Sequence, residues 1–372
     1  MIRPLVIVHV VSELQHSAAF EWLSEALTKN HRFQLVVLNP APGPLERKLK
    51  DRGIDVLSVR FTGKWSVLKA VWNLARHFRR SRPDVVHAHL LVGSVVGLAA
   101  AWLAGVPRRI YTRHTSTFHH TYDRSGLKYD RLCNALATRI ISISQATDYA
   151  LIELEHVRPA KVVKIHHGFK FDRFLRHDQG AIDAVRKRWG FDERKPCVGV
   201  VARHIEWKGI QYIIPAFRKF KERFPEAQLI LANAVGPYRD SVADQLSGLR
   251  KEDVIYIPFE EDAAALYHAM DIYVHVPVDP YCEAFGQTYI EALACSVPSI
   301  FTLSGVAAEF VQHETHALVV PFKNSEAVYR CMTRLWEDRS LRERLGVAGR
   351  TYVMEYFDFA AMMEKLEKLY HE

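Results

Sequence analysis

Two glutamates that stand eight positions apart raise the first chemical question about this chain. Glu283 and Glu291 lie in "DPYCEAFGQTYIEALACSVPSI", residues 279–300, which is otherwise mostly apolar. The Asp-Pro pair at its start indicates a turn, and "TYIEALAC" has the pattern of a helix. Two carboxylates in this arrangement could form an acid and base couple, or each could bind a different part of one ligand.

The residues between the glutamates favour ligand binding. Phe285, Gly286 and Gln287 are expected at the N-terminus of the helix, where main-chain N–H groups and the helix dipole attract phosphate. Gly286 would let an anion reach the main chain. Glu291 then lies in the first turns and can accept both hydroxyls of a ribose, while Glu283 points at the group attached to the phosphate. The alternative is that Glu291 only complements the helix dipole.

A second candidate segment is "ARHIEWKG", which follows the strand pattern "CVGVV". Arg203 and Lys208 are five positions apart in this loop. Two such cations can hold a diphosphate, since arginine supplies a planar fork and lysine a point charge. Gly209 at the start of the next helix favours a close approach of the backbone. The alternative is a pair of solvated surface cations.

Histidines are concentrated in the first half of the chain. His87, His89 and His114 end predicted strands, and His119 and His120 follow shortly afterwards. A metal site would need carboxylates or cysteines beside them, and these segments have none nearby. The sequence therefore predicts no metal site, and a structural role is the alternative for each histidine taken singly.

Three well-known motifs are missing from the sequence. There is no GxGxxG after the first strand and no GxxxxGK[ST], which argues against a dinucleotide-dependent oxidoreductase and a Walker-type ATPase. No G-x-S-x-G nucleophile elbow occurs either.

Parallel α/β sheets are the elements that would position these residues. Strand patterns in the first half are "PLVIVHVVS", "FQLVVLNP", "RPDVVHAH", "RRIYTRH", "ATRIISIS" and "KVVKIHHG", and they alternate with helical stretches. The pattern restarts at "KPCVGVVARH" (195–204) and continues through "AQLILAN", "DVIYIPF", "DIYVHVP" and "VPSIFT". Continuous apolar runs of this kind are typical of parallel sheets covered by helices on both faces.

The length of 372 residues predicts two domains. We place a first doubly wound α/β domain at 1–185 and a second at 186–356, with the boundary inside 176–195. Ligands of such sheets bind beyond the carboxyl ends of the strands, so two facing domains predict a cleft between them.

Charge is unevenly divided along the chain. Residues 1–190 contain 30 Lys and Arg against 15 Asp and Glu, whereas residues 191–372 contain 20 against 27. The basic half suggests an anionic partner. Nucleic acid is disfavoured, because no recognition motif occurs and the basic residues do not alternate with stacking aromatics. The five scattered cysteines contain no CxxC pair, which indicates a reducing compartment.

Two segments bear on membrane association. The 18 residues Leu90 to Pro107 carry no charge, and we interpret them as a buried helix of an α/β layer, with a membrane span as the alternative. The stretch 60–83 contains no acidic residue. Its apolar positions 65, 68, 71, 72, 75 and 78 are expected on one helical face, and its basic residues suggest that a helix over 64–82 contacts anionic lipid. A core-facing helix with a solvated basic side is the alternative.

Together these segments resemble a retaining glycosyltransferase of the GT-B fold, specifically glycosyltransferase family 4. The most specific mark is the E-x7-E pattern of Glu283 and Glu291. The other matching stretches are "RPDVVHAH", "VPRRIYTRH", "ATRIISISQAT", "KVVKIHHGFKFDRF", "VVARHIEWKG" and "DIYVHVP". In this fold the last helix, here 357–372, crosses back to the N-terminal domain, which would bind the acceptor.

The resemblance implies a role for each matching residue. Arg203 and Lys208 would hold the donor diphosphate, assisted by the backbone from Phe285 to Gln287. Glu291 would bind the ribose, Glu283 would meet the donor sugar, and His114 would line the sugar site and help to stabilise the transition state. The resemblance thus implies eight site residues: His114, Arg203, Lys208, Glu283, Phe285, Gly286, Gln287 and Glu291.

The resemblance also implies the partners. The donor would be a nucleotide-diphosphate sugar, with UDP favoured over GDP, and no metal ion or other cofactor would be required. A hexose or N-acetylhexosamine would move to a lipid-linked acceptor or a growing cell-surface glycan. The protein would be cytoplasmic, at the inner face of the membrane. A soluble or protein acceptor, and a nucleotide-sugar epimerase with the same two domains, are the alternatives.

Two positions depart from the family pattern. After the first strand the chain has "VVSELQHS" where a Gly-Gly loop is common, so Ser12 or Gln15 would have to substitute. In "LILANAVGP" only Gly236 remains of the usual Gly-x-Gly turn.

Overall fold

The computed structural model describes residues 3–190 and 196–372, with the backbone alone at position 64. The chain forms two compact units, of which the first comprises Met1–His166 and Met363–Glu372 and the second His167–Met362. Residues 191–195, at the end of the predicted boundary segment, lie outside the described residues.

The observed division of the chain differs from the expected one. Residues 167–185 were expected in the first domain but lie in the second unit. The helix Gln179–Trp189 explains the difference, because it packs against the helix Ala263–His268 of that unit. Part of the C-terminal helix, Met363–Glu372, returns to the first unit as expected.

The first unit is built on a seven-stranded parallel sheet. Its strands are β1 (Val6–Ser12), β2 (Arg32–Asn39), β3 (Asp55–Arg60), β4 (Val85–His89), β5 (Arg108–Arg113), β6 (Arg139–Ser142) and β7 (Val162–Lys164). Their order is β3-β2-β1-β4-β5-β6-β7, the doubly wound arrangement. Six of the strands coincide with predicted ones. The edge strand β3 was not predicted, because its half-exposed "DVLSVR" lacks a long apolar run.

Helices cover both faces of this sheet. They are α1 (Ala18–Asn30), α2 (Pro44–Asp51), α3 (Val67–Ser81), α4 (Leu91–Leu103), α5 (Phe118–Thr121), α6 (Leu127–Leu136) and α7 (Gln145–Tyr149). The uncharged segment forms α4, which is mostly buried. Gly97 lets α4 approach β1, since a Cβ there would lie 3.0 Å from Cβ of Val10. The prediction of a buried helix is confirmed.

The second unit contains a six-stranded parallel sheet. Its strands are β8 (Cys197–Val201), β9 (Gln228–Ala232), β10 (Val254–Ile257), β11 (Ile272–His275), β12 (Ser299–Phe301) and β13 (Leu318–Val319). The order β10-β9-β8-β11-β12-β13 repeats the doubly wound topology. Five of these strands were predicted, whereas the two-residue β13 was too short to recognise.

The remaining helices follow in chain order. They are α8 (Asp172–Leu175), α9 (Gln179–Trp189), α10 (Ile210–Arg223), α11 (Arg239–Gln245), α12 (Ala263–His268), α13 (Gln287–Ala294), α14 (Ala307–Phe310), α15 (Ser325–Glu337), α16 (Arg339–Tyr356) and α17 (Phe359–His371). Buried aliphatic residues of β8, β9 and β11 form the core with α10 and α15. Because β8 and β11 are neighbours in the sheet, the loops that follow them emerge side by side.

The basic helix α3 does not have the single apolar face that was expected. Its core side consists of Ala70, Val71, Leu74, Ala75 and Phe78. Three of the six apolar positions expected on that face point to solvent: the exposed fractions are 101% for Trp65, which precedes α3, 83% for Leu68 and 63% for Trp72. The sequence pattern placed buried and exposed apolar residues on one face. Positions 71 and 72 are adjacent, and only packing against the sheet decides that Val71 is covered and Trp72 is not.

Candidate active site

An ion pair joins two of the predicted residues at the carboxyl ends of neighbouring strands. Lys208 lies in the turn after β8 and Glu283 in the loop after β11. The lysine Nζ is 2.5 Å from Oε1 of the carboxylate. His275, the last residue of β11, donates from Nε2 to the same oxygen over 3.1 Å. The carboxylate is therefore held by a cation and by an imidazole N–H.

The protonation of this group follows from its surroundings. Burial alone would raise the pKa of Glu283, because an ionised carboxylate loses hydration in the interior. The charge of Lys208 and the hydrogen bonds from His275 and Lys208 outweigh burial and lower this pKa to about 2. Burial lowers the pKa of His275 as well. At neutral pH Glu283 is thus an anion and an acceptor, which argues against its use as an acid.

Two glycines allow the backbone to pass close to these side chains. Gly209 follows Lys208 with φ of +76°, and a Cβ there would lie 1.8 Å from the carbonyl oxygen of Val276. Gly286 has φ of +91°, and its Cβ would lie 2.4 Å from the ring of Tyr289. Both positions combine a left-handed backbone with a close contact, so only glycine is accommodated without strain.

The predicted helix start between the glutamates is present. Gly286 is the cap residue of α13, and the side chain of Gln287 is exposed. The ring of Phe285 is buried, with its centroid 4.8 Å from that of His167. The carbonyl of Phe285 accepts a hydrogen bond of 3.0 Å from the amide of Val306. The phenylalanine therefore anchors the loop, and the first N–H groups of α13 have no acceptor inside the helix.

Glu291 lies on α13, one turn beyond the cap. Its Oε2 accepts a hydrogen bond of 3.0 Å from the hydroxyl of Tyr267 on α12. Burial raises the pKa of Glu291, and the Tyr267 bond and the charge of Arg173 partly offset that effect. Tyr267 was not predicted as a site residue. Its position in "DAAALYHAM" matched the buried side of a helix, and nothing in that pattern signals a polar contact.

Arg203 is the exposed cation of the same region. It follows β8 in the loop that also carries Lys208, and among the described residues it has no ion-pair partner. The next residue, His204, is fully buried, and neither of its ring nitrogens has a hydrogen-bond partner in the described part of the chain. The second unit therefore brings together Lys208, Glu283 and the start of α13, with Arg203 five residues from Lys208.

His114 belongs to the first unit, where it directly follows β5. It is half-buried and borders a small cavity of about 60 Å³ together with Leu90, Leu91 and Thr115. Burial lowers its pKa to about 4, so the imidazole is neutral at physiological pH. A neutral imidazole presents one N–H donor and one acceptor nitrogen.

Two family models match successive parts of this chain. The model described as "Glycosyltransferase Family 4" matches residues 20–173, and the one described as "Glycosyl transferases group 1" matches residues 181–352. The chain belongs to glycosyltransferase family 4. The resemblance predicted from the E-x7-E segment, the two-sheet GT-B fold and the enzyme class are confirmed.

Relatives of this family 4 glycosyltransferase are similar over most of the chain. The capsular polysaccharide biosynthesis glycosyltransferase CapM of Staphylococcus aureus is 25% identical over 82% of this chain and 81% of its own length. A GDP-mannose-dependent phosphatidylinositol monomannoside mannosyltransferase of Mycolicibacterium smegmatis is 29% identical over 58% and 56%. The Anabaena protein HepE, solved with UDP-glucose, superposes with a TM-score of 0.84 at 21% identity and covers 98% of this chain and 100% of that one.

Three histidines of the first unit lie close enough together to hold a metal ion. Ring nitrogens of His9, His87 and His89 lie within 4.8 Å of one another. Each of these rings is engaged through both nitrogens with Tyr370, Thr112, His114 or another member of the group. The lone pairs that a cation would need are therefore used in hydrogen bonds, which supports the expectation that the group is not a metal site.

His119 and His120 do meet carboxylates, contrary to what their sequence neighbourhood indicated. His119 Nδ1 lies 2.5 Å from Asp130 and His120 Nε2 lies 3.3 Å from Glu155. Arg113 pairs with both carboxylates over 2.6 Å. The fold places these acids, which lie elsewhere in the sequence, beside the histidines and Arg113, so the cluster is a buried ion network.

The two loops that depart from the family pattern are occupied by internal contacts. Oγ of Ser12 accepts a hydrogen bond of 3.1 Å from the amide of Gly93. A Cβ on Gly43 would lie 2.4 Å from Oε1 of Gln15, so that side chain lies against the start of α2. Gly236 has φ of +142°, and a Cβ there would lie 2.4 Å from the carbonyl oxygen of His204.

In the described part of the chain we find no helix with the length and hydrophobicity required to cross a bilayer.

Proposed function

We propose that this glycosyltransferase moves a hexose or an N-acetylhexosamine from a nucleotide-diphosphate sugar, with retention at the anomeric carbon. The observation that carries the proposal is the contact of Lys208 with Glu283 beside the N-terminus of α13. The cation and the helix start are suited to the phosphates of such a donor, and the carboxylate is suited to the hydroxyl groups of its sugar.

The phosphates would bind Arg203, Lys208 and the main chain from Phe285 to Gln287. Arg203 is exposed and has no ion-pair partner among the described residues, so its fork is available for an anion. Departure of the nucleotide diphosphate builds negative charge on the leaving phosphate. Cations that are already positioned there lower the barrier, because they need no rearrangement during the reaction.

The two carboxylates would bind different hydroxyl groups of the donor. Glu291 would accept from the ribose, and Tyr267 restrains the carboxylate for that contact. Glu283 would accept from the donor sugar, since Lys208 and His275 keep it ionised. His114 would contact the sugar from the acceptor-binding first unit. The leaving phosphate itself would take the acceptor proton on the same face, so neither glutamate acts as a proton relay.

UDP is the favoured nucleotide of the donor, and GDP is the other candidate. No metal ion or further cofactor is proposed. The structural neighbour HepE was solved with UDP-glucose, which supports the first choice. The Mycolicibacterium relative is described as GDP-mannose-dependent, which keeps the second. The acceptor is proposed to be lipid-linked or a growing cell-surface glycan, which is supported by the similarity to CapM, a capsular polysaccharide biosynthesis glycosyltransferase.

Peripheral contact with an anionic membrane is part of the proposal. Trp65, Leu68 and Trp72 form an exposed apolar strip at spacings of three and four residues, and Lys69 and Arg76 are exposed beside it. Exposed aromatic and aliphatic side chains among cations are typical of helices that lie in a membrane interface. The five cysteines, all of which are described, are free, and free cysteines are typical of proteins in a reducing compartment. We therefore propose the inner, cytoplasmic face of the membrane as the location.

A thermal-shift comparison of UDP- and GDP-sugars tests the donor assignment. A ligand that binds the native state at one hundred times its Kd stabilises the protein by about 2.7 kcal/mol. We expect one base series to raise the Tm and the other to leave it nearly unchanged, with product analysis then showing transfer of the sugar and not an epimerised nucleotide sugar. A lack of any shift with both series would contradict the proposal.

A further inference from the structure

An open groove of about 680 Å³ lies at one edge of the first unit, apart from the residues proposed for the donor. One wall is the edge strand β3, and the other is a face of α3 that carries Lys69, Asn73 and His77. Trp65, in the turn before α3, also lines the groove. Because Trp65 belongs both to this lining and to the exposed apolar strip, the groove and the strip are continuous.

The strand wall of the groove is the open edge of the sheet. Four successive residues of β3, 57–60, all line the groove, although successive side chains of a strand point to opposite faces. A space that all four border therefore follows the edge of β3 that does not pair with β2. Phe61 donates its N–H to the carbonyl of Asn39 on β2 over 2.9 Å, so the main chain of Ser58 and Arg60 faces the open side. Main-chain N–H groups are thus available there as donors.

The described side chains that line the groove are basic or polar at several positions, and none of them is acidic. Arg60 and Lys69 are exposed, and neither has an ion-pair partner in the described part of the chain. Asn73 is exposed beside them, whereas Nε2 of His77 already lies 2.7 Å from Oε1 of Gln34. Two available cations with further donors nearby are suited to a phosphate ester, whose oxygens are acceptors.

The exposed apolar strip indicates which kind of phosphate ester fits. A small soluble ester in the groove would leave Trp65, Leu68 and Trp72 in water. A phospholipid would pair its phosphate with the cations and place its acyl chains on the strip, which buries apolar surface at the same time. A second copy of this chain bound through the same surface would bring Arg60 and Lys69 close to like charges, which disfavours it.

We propose that this groove binds the headgroup of one anionic phospholipid. Arg60 and Lys69 would pair with the phosphate oxygens, and Asn73 and the open edge of β3 would donate to the remaining acceptors. The acyl chains would contact Trp65 and the rest of the strip. The inference rests on the proposed contact of α3 with an anionic membrane, and it adds a site for a single lipid molecule to the general attraction of a basic surface.

Monomeric short-chain lipid tests the groove without a membrane. Dihexanoyl-phosphatidylglycerol, used below its critical micelle concentration, carries a complete anionic headgroup, and glycerophosphoglycerol is the same headgroup without acyl chains. Phosphorus NMR line widths during titration with protein give a Kd for each compound. We expect the lipid to bind at least severalfold more tightly, because its chains cover Trp65. Equal affinities would show a site for soluble phosphate esters and contradict the lipid assignment.

A pair of double variants with the same loss of charge locates the binding. Arg60→Gln with Lys69→Gln should weaken lipid binding about tenfold or more, because two charge-assisted hydrogen bonds are lost. Arg76→Gln with Arg80→Gln changes exposed cations of α3 that do not line the groove. Without a bilayer to face, these two should leave the Kd within about twofold. Similar losses in both double variants would show attraction to the basic surface as a whole and overturn the proposal.

Trp65→Ser tests the contact with the acyl chains. Its side chain is fully exposed, so the variant should fold normally, which a melting curve checks. We expect its affinity for the short-chain lipid to fall to nearly that for glycerophosphoglycerol, whose own affinity should not change. A lipid affinity that stays at the level of the unmodified protein would show that the chains lie elsewhere.

The groove and the proposed membrane contact can fail separately. Co-sedimentation with phosphatidylcholine vesicles that contain phosphatidylglycerol measures the membrane contact. Vesicle binding without binding of the monomeric lipid would overturn the groove and leave the membrane contact in place. Binding of the monomeric lipid without vesicle binding would support the groove and contradict the membrane contact. Self-association that Arg60→Gln with Lys69→Gln alters, in the absence of lipid binding, would identify a second copy as the occupant.

Discussion

Lys208 and Glu283 are 75 positions apart in the sequence, and their charged atoms lie 2.5 Å from each other. The contact arises because β8 and β11 are neighbours in a parallel sheet, so the loops at their carboxyl ends emerge side by side. The carboxylate is nearly buried, with 8% of its side chain exposed. Removing either partner would leave the other as an uncompensated charge in a poorly hydrated place.

Lys208→Ala should reduce both turnover and stability. We expect kcat to fall by a factor of ~10² or more, because the leaving phosphate loses a fixed cation. We also expect a lower Tm, since Glu283 loses its main counter-charge. Lys219→Ala is the matched control, because that lysine pairs with Glu326 on the surface over 2.7 Å. Equal losses in the two variants would contradict the special role of Lys208.

Glu291→Ala should weaken nucleotide binding. The carboxylate would no longer accept from the ribose, and calorimetry with the nucleoside diphosphate should show an affinity lower by about tenfold or more. Tyr267→Phe removes only the hydrogen bond that restrains the carboxylate, so a smaller loss is expected. Unchanged affinity in the Glu291 variant would count against the assignment of the ribose site.

The pH dependence of stability should reveal the low pKa of Glu283. Its folded-state pKa of about 2 is below the ordinary value of 4.5, so ionisation stabilises the folded protein. The contribution is fully present above pH ~4.5 and is lost as the pH falls towards 2, and its full size is about 3 kcal/mol. The Tm difference between the unmodified protein and Glu283→Gln should therefore be larger at pH 7 than at pH 3.5. A difference that stays constant would show that Glu283 is not a low-pKa group.

The exposed strip on α3 should control membrane binding. Replacing Trp65, Leu68 and Trp72 with serine removes apolar side chains that are largely exposed, so the core should be unaffected. We expect co-sedimentation with anionic vesicles to fall at least severalfold, and reversal of Arg76 and Arg80 to remove its salt sensitivity. Val347→Ser, at a residue with 66% exposure in the second unit, is the control. Vesicle binding that survives both sets of changes would exclude this surface.

One cation of the basic stretch also has a structural contact. Arg79 belongs to the basic stretch, but its guanidinium donates to the carbonyl oxygen of Leu103 over 2.8 Å. Reversing its charge would disturb the contact between α3 and α4 as well as the surface. Arg76 and Arg80 are therefore the cleaner substitutions, and neither makes such a contact among the described residues.

Most of the sheet was predictable because parallel strands buried on both faces leave long apolar runs. The strands "PLVIVHVVS" and "CVGVV" carry that signal, and the weak edge strand β3 does not. The start of α13 was also predictable, since Gly286 and the periodic residues after Gln287 are local signals. The E-x7-E spacing identified the family before any contact was known.

The sequence did not reveal which side chains contact one another in the folded protein. His275, Tyr267 and Tyr370 each make a side-chain hydrogen bond to a group that is many residues away along the chain or on another element. Their own neighbourhoods match ordinary buried strands and helices, because a hydrogen-bonding partner leaves no periodic mark. The pairing of His119 and His120 with acids was missed for the same reason.

By itself, the sequence determined the order of most of the elements and the family to which the chain belongs, and it supplied the candidate site residues. These are local properties of residue type, spacing and periodicity. The tertiary structure alone decided which charges meet, which face of α3 is covered and which histidines share a line of hydrogen bonds. Those outcomes depend on how strands and helices from distant segments pack, and packing sets the burial and the pKa of Glu283.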